Sequence, residues 1–224
     1  MRDTRTVGVV PMKPLAQAKS RLSANLDERQ REALGGNLLR RVLRALIGPA
    51  PGLSEHGVLD EVWVVGGDEQ VERIASEERA QWHPDEWSGV NETLDGSFER
   101  IFGSGHAAMF VPGDLPFLKP RDVHGFVAAS GHLKNVTLAP SRQGGGTNGI
   151  LLVPGLSHTF KVQLGADSFN RHLTQASSTG ISVAIYYSMG LALDLDTFDD
   201  LRAYEYMEPG LIESLTDGMY RLGG

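Results

Sequence analysis

The sequence predicts an α/β fold, a doubly wound and mainly parallel sheet, and three observations carry that prediction. Short apolar or β-branched runs recur at wide intervals, several nearly continuous, as expected of strands covered on both faces. Segments with apolar residues at three-to-four spacing lie between them. The two kinds alternate along the chain, which is the order of strand–helix–strand crossover units.

The strand-like runs are residues 6–10, 62–65, 107–111, 136–139, 150–153, 181–185 and 191–193. The longest helical pattern, residues 27–47, sets Leu34, Leu38, Leu39, Val42, Leu46 and Ile47 along one stripe. A shorter one carries Val71, Ile74 and Ala75, and another Val90, Leu94, Phe98, Ile101 and Phe102. Pro120 opens a fourth helix, where its missing N–H is harmless, and Val123, Phe126 and Val127 follow. Ser168 and Thr197 are predicted N-caps, the second with Asp199 and Asp200 near the positive end of its helix. Residues 48–57 read as a plain surface connection. Residues 83–89 and 143–146 fall where strand ends open a cleft, so they are candidate ligand loops.

With 224 residues, 41% of them hydrophobic, the chain suits one domain over residues 1–224 and buries a core without staples. Cys is absent, which excludes disulfides and thiolate chemistry and fits a reducing compartment. No apolar run approaches the roughly 20 residues of a membrane helix. No signal-peptide hydrophobic region opens the chain, so a cytoplasmic location is expected, with no membrane partner. The formal charge of −7 argues against a nucleic-acid partner. Basic residues are nonetheless crowded at Lys13, Lys19 and Arg21, then at Arg29, Arg31, Arg40, Arg41 and Arg44. Such crowding predicts a local positive patch for a small anion.

Four segments carry candidate chemistry. After the first strand, residues 11–22 place Lys13, Lys19 and Arg21 on one loop at the usual ligand side of an open sheet. Lysines serve phosphates as point charges and Arg as a bidentate fork, although a solvated basic loop would look the same. This loop is neither a Walker loop nor a glycine-rich dinucleotide fingerprint. Next, Gly113-Asp114-Leu115-Pro116 sets a carboxylate directly after a buried strand, where it can bind a divalent cation or simply make a turn. Residues 144–146 are three glycines, able to bring bare N–H groups to an anion, and Thr147-Asn148 follow; Gly146, Thr147 and Asn148 are candidate substrate contacts. Last, Gly165 and Ser168 precede a helix, where a phosphate or carboxylate can dock, and Asp194 and Asp196 close a predicted strand with two further carboxylates. The seven histidines show no metal-binding spacing, and no GxSxG marks a hydrolase. His172 falls on a predicted helix as a packed or surface residue.

Taken in order, residues 10–22, Gly113-Asp114-Leu115-Pro116, residues 139–148, residues 165–172 and residues 194–201 resemble the guanylyltransferases of coenzyme F-420 biosynthesis, whose members act on 2-phospho-L-lactate or phosphoenolpyruvate. The resemblance runs over nearly the whole chain. It implies a Rossmann-like nucleotidyltransferase fold of the nucleotide-diphospho-sugar transferase kind. It implies GMP transfer from GTP to the phosphate of a three-carbon phospho-acid, with release of diphosphate and hand-off of the unstable product to a second transferase. Thr147, Gly165 and Ser168 are then phospho-acid contacts, and Asp114 with Asp194 or Asp196 holds Mg2+. Residues 66–68 and 89–91 sit where such enzymes read the base. The run of glycines at 144–146 suggests a mobile substrate loop.

Since the acceptor phosphate is already ionised, no general base is required; catalysis reduces to alignment and charge neutralisation. Lys13, Lys19 and Arg21 are the catalytic candidates for the diphosphate side. The rivals are a nucleotidyltransferase for a sugar phosphate or the molybdenum cofactor, which open with a glycine-rich loop, and a non-catalytic nucleotide-binding module. Oligomeric state is not written in the sequence, and a homodimer is the commonest outcome.

Overall fold

A computed structural model describes residues 5–131, 135–142, 145–156 and 158–221. β1 (Thr6–Met12) leads through two short 3-10 turns, Leu15–Gln17 and Ser20–Leu22, into α1 (Glu28–Ile47). A two-stranded ribbon of β2 (Pro49–Ala50) and β3 (Ser54–Gly57) comes before β4 (Glu61–Gly66), α2 (Glu69–Glu77) and β5 (Gln81–His83). Next come α3 (Val90–Gly103), β6 (Ala107–Phe110), α4 (Pro120–Ala129), β7 (Asn135–Pro140) and β8 (Thr147–Leu152). The chain finishes with α5 (Ser168–Thr179), β9 (Ser182–Ile185), α6 (Met189–Ala192), α7 (Phe198–Met207) and α8 (Leu211–Leu215).

The main sheet has the order β5-β4-β1-β6-β8-β7-β9. All its pairings are parallel except those of β8, which runs against β6 and β7. Its strands alternate between two buried faces, since successive side chains leave a strand on opposite sides. Val10, Val64, Met109 and Leu151 join one core with the stripes of α1, α2 and α4. Val7, Val9, Val65, Phe110, Ile150 and Leu152 join the other with α3 and α5. A third cluster packs Leu34 and Leu38 of α1 against Leu22, Leu195, Leu201 and Tyr204. This last cluster brings the C-terminal segments back beside the first βα loop. The mainly parallel, doubly wound α/β expectation holds.

Three local expectations are corrected. Residues 191–193 are not a strand: Ser188 caps a helical turn by accepting from the Leu191 N–H at 3.2 Å, and the apolar run is buried as part of α6 and its end. Ser168 is the first residue of α5 and not its N-cap; Asp167 holds that place in a left-handed conformation, φ 54°. Residues 48–57 hold the β2–β3 ribbon instead of a plain connection. A three-residue run was also too short to reveal β5. Thr197 does cap α7, in a reciprocal box with Asp200.

Asp68 joins fold to site. Its Oδ1 accepts from the N–H groups of Gln70 and Val71, both at 3.1 Å, and caps α2, while Oδ2 accepts from the Leu15 N–H at 2.7 Å. Asp68→Ala removes the cap and the loop anchor together and is expected to cost about 1–3 kcal/mol in urea unfolding. Asp68→Asn, which keeps one acceptor, should lose less, and amide exchange in residues 13–22 should rise only in the Ala variant.

Candidate active site

Two buried leucines shape the first βα loop. Leu15 and Leu22 are almost fully covered, so the chain between them is pinned at both ends; Gln17, Ser20 and Arg21 are exposed, whereas the Lys19 side chain turns inward. The loop lies on α1 at Gly35 and Gly36, where an added Cβ would stand 3.1 Å from Ala18 and 3.5 Å from Leu15 respectively. Beside the loop, at the carboxyl ends of β1 and β6, opens a cleft of about 510 Å³. Lys13, Lys19, Arg21, Asp114 and Asp196 line it, together with the apolar Val90 and Leu164.

Lys19 stands at the centre of the charges. Its backbone is left-handed, φ 50°, a conformation that costs a non-glycine residue energy. Nζ donates to Asp114 Oδ2 at 2.6 Å, to the Leu195 carbonyl, and to Asp196 Oδ1 at 3.5 Å. The side chain keeps only 9% of its exposure. Burial pulls its pKa down, but the Asp114 and Asp196 carboxylates outweigh that pull and hold it above the ordinary lysine value. Arg21 is different: its side chain is 73% exposed and reaches Asp196 at 3.1 Å. Lys13 is exposed on the cleft wall, with no ion pair or hydrogen bond to another described residue. Other crowded cations are spent elsewhere. Arg40, Arg41 and Arg44 pair with Glu77, Glu208 and Glu78, so these three leave the expected patch, while Arg31 donates to the Ala18 carbonyl of the loop at 3.3 Å.

On the acidic side, Asp114 Oδ1 is buried with no hydrogen-bond partner among the described residues. Asp194 accepts from Asn148 Nδ2 at 3.1 Å. Burial raises the Asp194 pKa, and the nearby Asp114 and Asp196 charges raise it further, against the lowering effect of the Asn148 bond. Tyr204 donates its hydroxyl to the Asp194 carbonyl at 2.9 Å and fixes that backbone. Among the described residues no group of three or more His, Asp or Glu side chains is already gathered for a metal, because Lys19 stands between Asp114 and Asp196.

The other predicted contacts form a second cluster behind the cleft. Thr147 and Ser168 are buried and hydrogen-bonded to each other, Oγ to Oγ1 at 3.2 Å. Gly165 takes φ 121°, in the region that favours glycine, and its carbonyl accepts from the Ser168 N–H at 3.2 Å. Gly146 is held by Ser141, whose hydroxyl accepts from the Gly146 N–H at 3.1 Å. The adjoining Gly145 carbonyl accepts from the Phe169 N–H at 3.1 Å, so this loop lies over the start of α5. Gln143 and Gly144 lie outside the described residues. Asn91 spends its carboxamide on the backbone of Leu164, accepting at 2.7 Å and donating at 3.3 Å. The structure thus brings Lys13, Lys19, Arg21, Asp114 and Asp196 to the cleft, with Asp194 beside them through Asn148. It gathers Gly146, Thr147, Gly165 and Ser168 around α5, outside the cleft lining. Residues 83–89 do not line the cleft; Val90 just beyond them does.

The expected helix and packed state of His172 hold, but its contacts were not foreseen from the sequence. It is fully buried in α5 and stacked on Phe160 at 5.5 Å. Nδ1 lies 3.0 Å from Thr147 Oγ1, and Nε2 accepts from the Gln163 N–H at 2.9 Å. Only its place in the motif with Ser168 could have drawn notice. Burial, then the charge of Arg171, lowers its pKa from 6.5 to about 4. The unfolded chain therefore takes up a proton near pH 6.5, and the folded chain only near pH 4. Stability from this group is complete above the first value and drains away as pH falls to the second, by about 3 kcal/mol in all. Urea unfolding across that window should show the loss in the wild type and a shallower slope in His172→Asn.

Among the described residues no helix is long and apolar enough to cross a membrane. The profile of the family described as guanylyl transferase CofC like matches residues 6–207. Phosphoenolpyruvate guanylyltransferase of Rubrobacter xylanophilus is 34% identical over 88% of this chain and 92% of its own. The 2-phospho-L-lactate guanylyltransferase of Methanocaldococcus vulcanius is 30% identical over 86% of this chain and 81% of its own. Solved structures share the fold at low identity. One, assigned as a nucleotide-diphospho-sugar transferase of Desulfovibrio desulfuricans G20, matches with a TM-score of 0.71 and 14% identity, over 92% of this chain and 88% of that one. Another, glucosyl-3-phosphoglycerate synthase of Mycobacterium tuberculosis with Mn2+, UDP-glucose and glycerol 3-phosphate, has a TM-score of 0.61 and 15% identity, over 99% and 83% of the two chains. With a match across most of its length, the chain belongs to the CofC-like guanylyl transferase family.

Proposed function

We propose that the protein transfers GMP from GTP to the phosphate of phosphoenolpyruvate or 2-phospho-L-lactate, releasing diphosphate, as a step in making coenzyme F-420. The single observation that carries this reading is a cleft lined by Lys13, Lys19, Arg21, Asp114 and Asp196, in a chain of this family. In the reaction a phosphate oxygen of the phospho-acid attacks the α-phosphorus of GTP. The bond from that phosphorus to the bridging oxygen breaks, and diphosphate leaves with the electron pair. The acceptor is ionised at neutral pH, which agrees with a site whose buried histidine is neutral and engaged by Thr147 and the Gln163 N–H.

The chain's own groups then have separable tasks. Lys13, exposed and unspent, meets the β- and γ-phosphates as a point charge. Lys19 offsets charge growing on the leaving diphosphate, and Arg21 offers a fork at the cleft rim. Asp114 and Asp194 suit Mg2+, a hard cation that takes oxygen ligands: the first has an unpartnered buried oxygen, and the second is desolvated beside it. When bound, Mg2+ supplies charge neutralisation at the phosphates. Asp196, engaged by Lys19 and Arg21, serves as their counter-ion. Thr147, Gly165 and Ser168, flanked by Gly146 and Asn148, hold the phospho-acid. The product is an unstable phosphoanhydride, which supports direct hand-off to a downstream transferase.

Mass spectrometry of products from GTP with competing phospho-acids and sugar phosphates tests the reading. A guanylylated three-carbon phospho-acid is expected, and a guanylylated sugar as sole product would sink it. Asp114→Asn should lower diphosphate release by about 10²–10³-fold while circular dichroism shows the fold retained. Near-normal turnover in that variant removes Asp114 from the metal site. Lys19→Ala should lose more than about tenfold, since it takes a preorganised charge from the site.

A further inference from the structure

The buried network behind the cleft contains three groups in a row: the His172 imidazole, the Thr147 hydroxyl and the Ser168 hydroxyl. Which way its protons point follows from one contact at its far end. The Gln163 N–H points at His172 Nε2 from 2.9 Å, and a backbone N–H can only donate. Nε2 must therefore accept, and a neutral imidazole then carries its proton on Nδ1. That proton has one partner, Thr147 Oγ1 at 3.0 Å, so His172 donates to Thr147.

The proton count then differs between the two tautomers. With Nδ1 protonated, the two bonds of the row use the imidazole proton and one hydroxyl proton. The second hydroxyl proton has no partner among the described residues. With Nε2 protonated, Thr147 would donate to His172 and Ser168 to Thr147. Both hydroxyl protons would then be spent, and the pair would face a ligand with lone pairs alone. An anion needs a donor, so only the first arrangement serves a phosphate or carboxylate.

We infer that His172 is a positioning residue, held by the Gln163 N–H in the tautomer that leaves one hydroxyl proton of the Thr147–Ser168 pair available to the anionic phospho-acid. This rests on the proposed function, in which that pair contacts the phospho-acid. Burial and the Phe160 ring hold the imidazole in place. Asn91 and Arg171 pin Leu164 and Gln163, the segment that supplies the directing N–H.

Two measurements on the full chain test the inference. The ¹⁵N shifts of the His172 ring should show a neutral imidazole protonated on Nδ1, and an Nε2–H pattern overturns the inference whatever the turnover. Steady-state kinetics of diphosphate release, with Mg2+ and GTP, should separate the substrates. His172→Phe and His172→Gln lose the donor at the Nδ1 position and should raise KM for phosphoenolpyruvate about tenfold, with KM for GTP unchanged. His172→Asn places a carboxamide N–H where Nδ1 stood and should restore the phosphoenolpyruvate KM to within about threefold. If Asn rescues no better than Phe, or both KM values rise together, His172 is only a core residue. A wild type with an Nδ1–H ring but no transfer to any phospho-acid would instead remove the proposed function, and the role of the pair with it.

Discussion

An ammonium group seated between two carboxylates and a carbonyl holds the two ends of the site together. Lys19 comes from the loop after the first strand, Asp114 from the turn after β6, and Asp196 and Leu195 from beyond α6. Residues separated by as many as 177 positions are thereby fixed within hydrogen-bond reach. Such a contact is costly to isolate from water and strong only while every partner is present. The surrounding leucine cluster, with Leu22, Leu34, Leu195 and Leu201, supplies the apolar frame that keeps those partners in register.

The distribution of charge follows from that seat. An acidic protein of formal charge −7 repels anions at long range, yet its cleft must receive two of them. Most arginines of α1 do not help, because Glu77, Glu78 and Glu208 neutralise them on the outer surface. What remains is a short loop whose two leucines are buried and whose cations have nowhere else to go. Local geometry thus does what net charge cannot.

Much of the fold was legible because its signals are local. Nearly continuous apolar runs marked the central strands, and the stripe from Leu34 to Ile47 marked α1. Misreadings arose where three or four residues had to decide the state. The run 191–193 has no period to read, and its helical turn depends on a serine cap and on burial against the rest of the chain. Candidate site residues were legible as motifs, but their grouping was not. No spacing rule places Lys19 on Asp114 while leaving Lys13 unpaired, or turns Ser168 inward to Thr147. The contacts of the packed His172 were illegible for the same reason, since its partners lie on β8 and in the segment before α5.

The reversal of β8 has a further consequence. Every other strand of the main sheet reaches the cleft side with its last residues, whereas β8 reaches it with its first. Its pleat sends consecutive residues to opposite faces. Thr147 therefore turns toward the hydroxyl and imidazole cluster on α5, and Asn148 toward the Asp194 carboxylate. One peptide unit works as a partition between a donor-rich compartment and an acid-rich one. Changes of length in the loop before it leave the partition standing, whereas a slip of one residue within it would exchange the two compartments' contents.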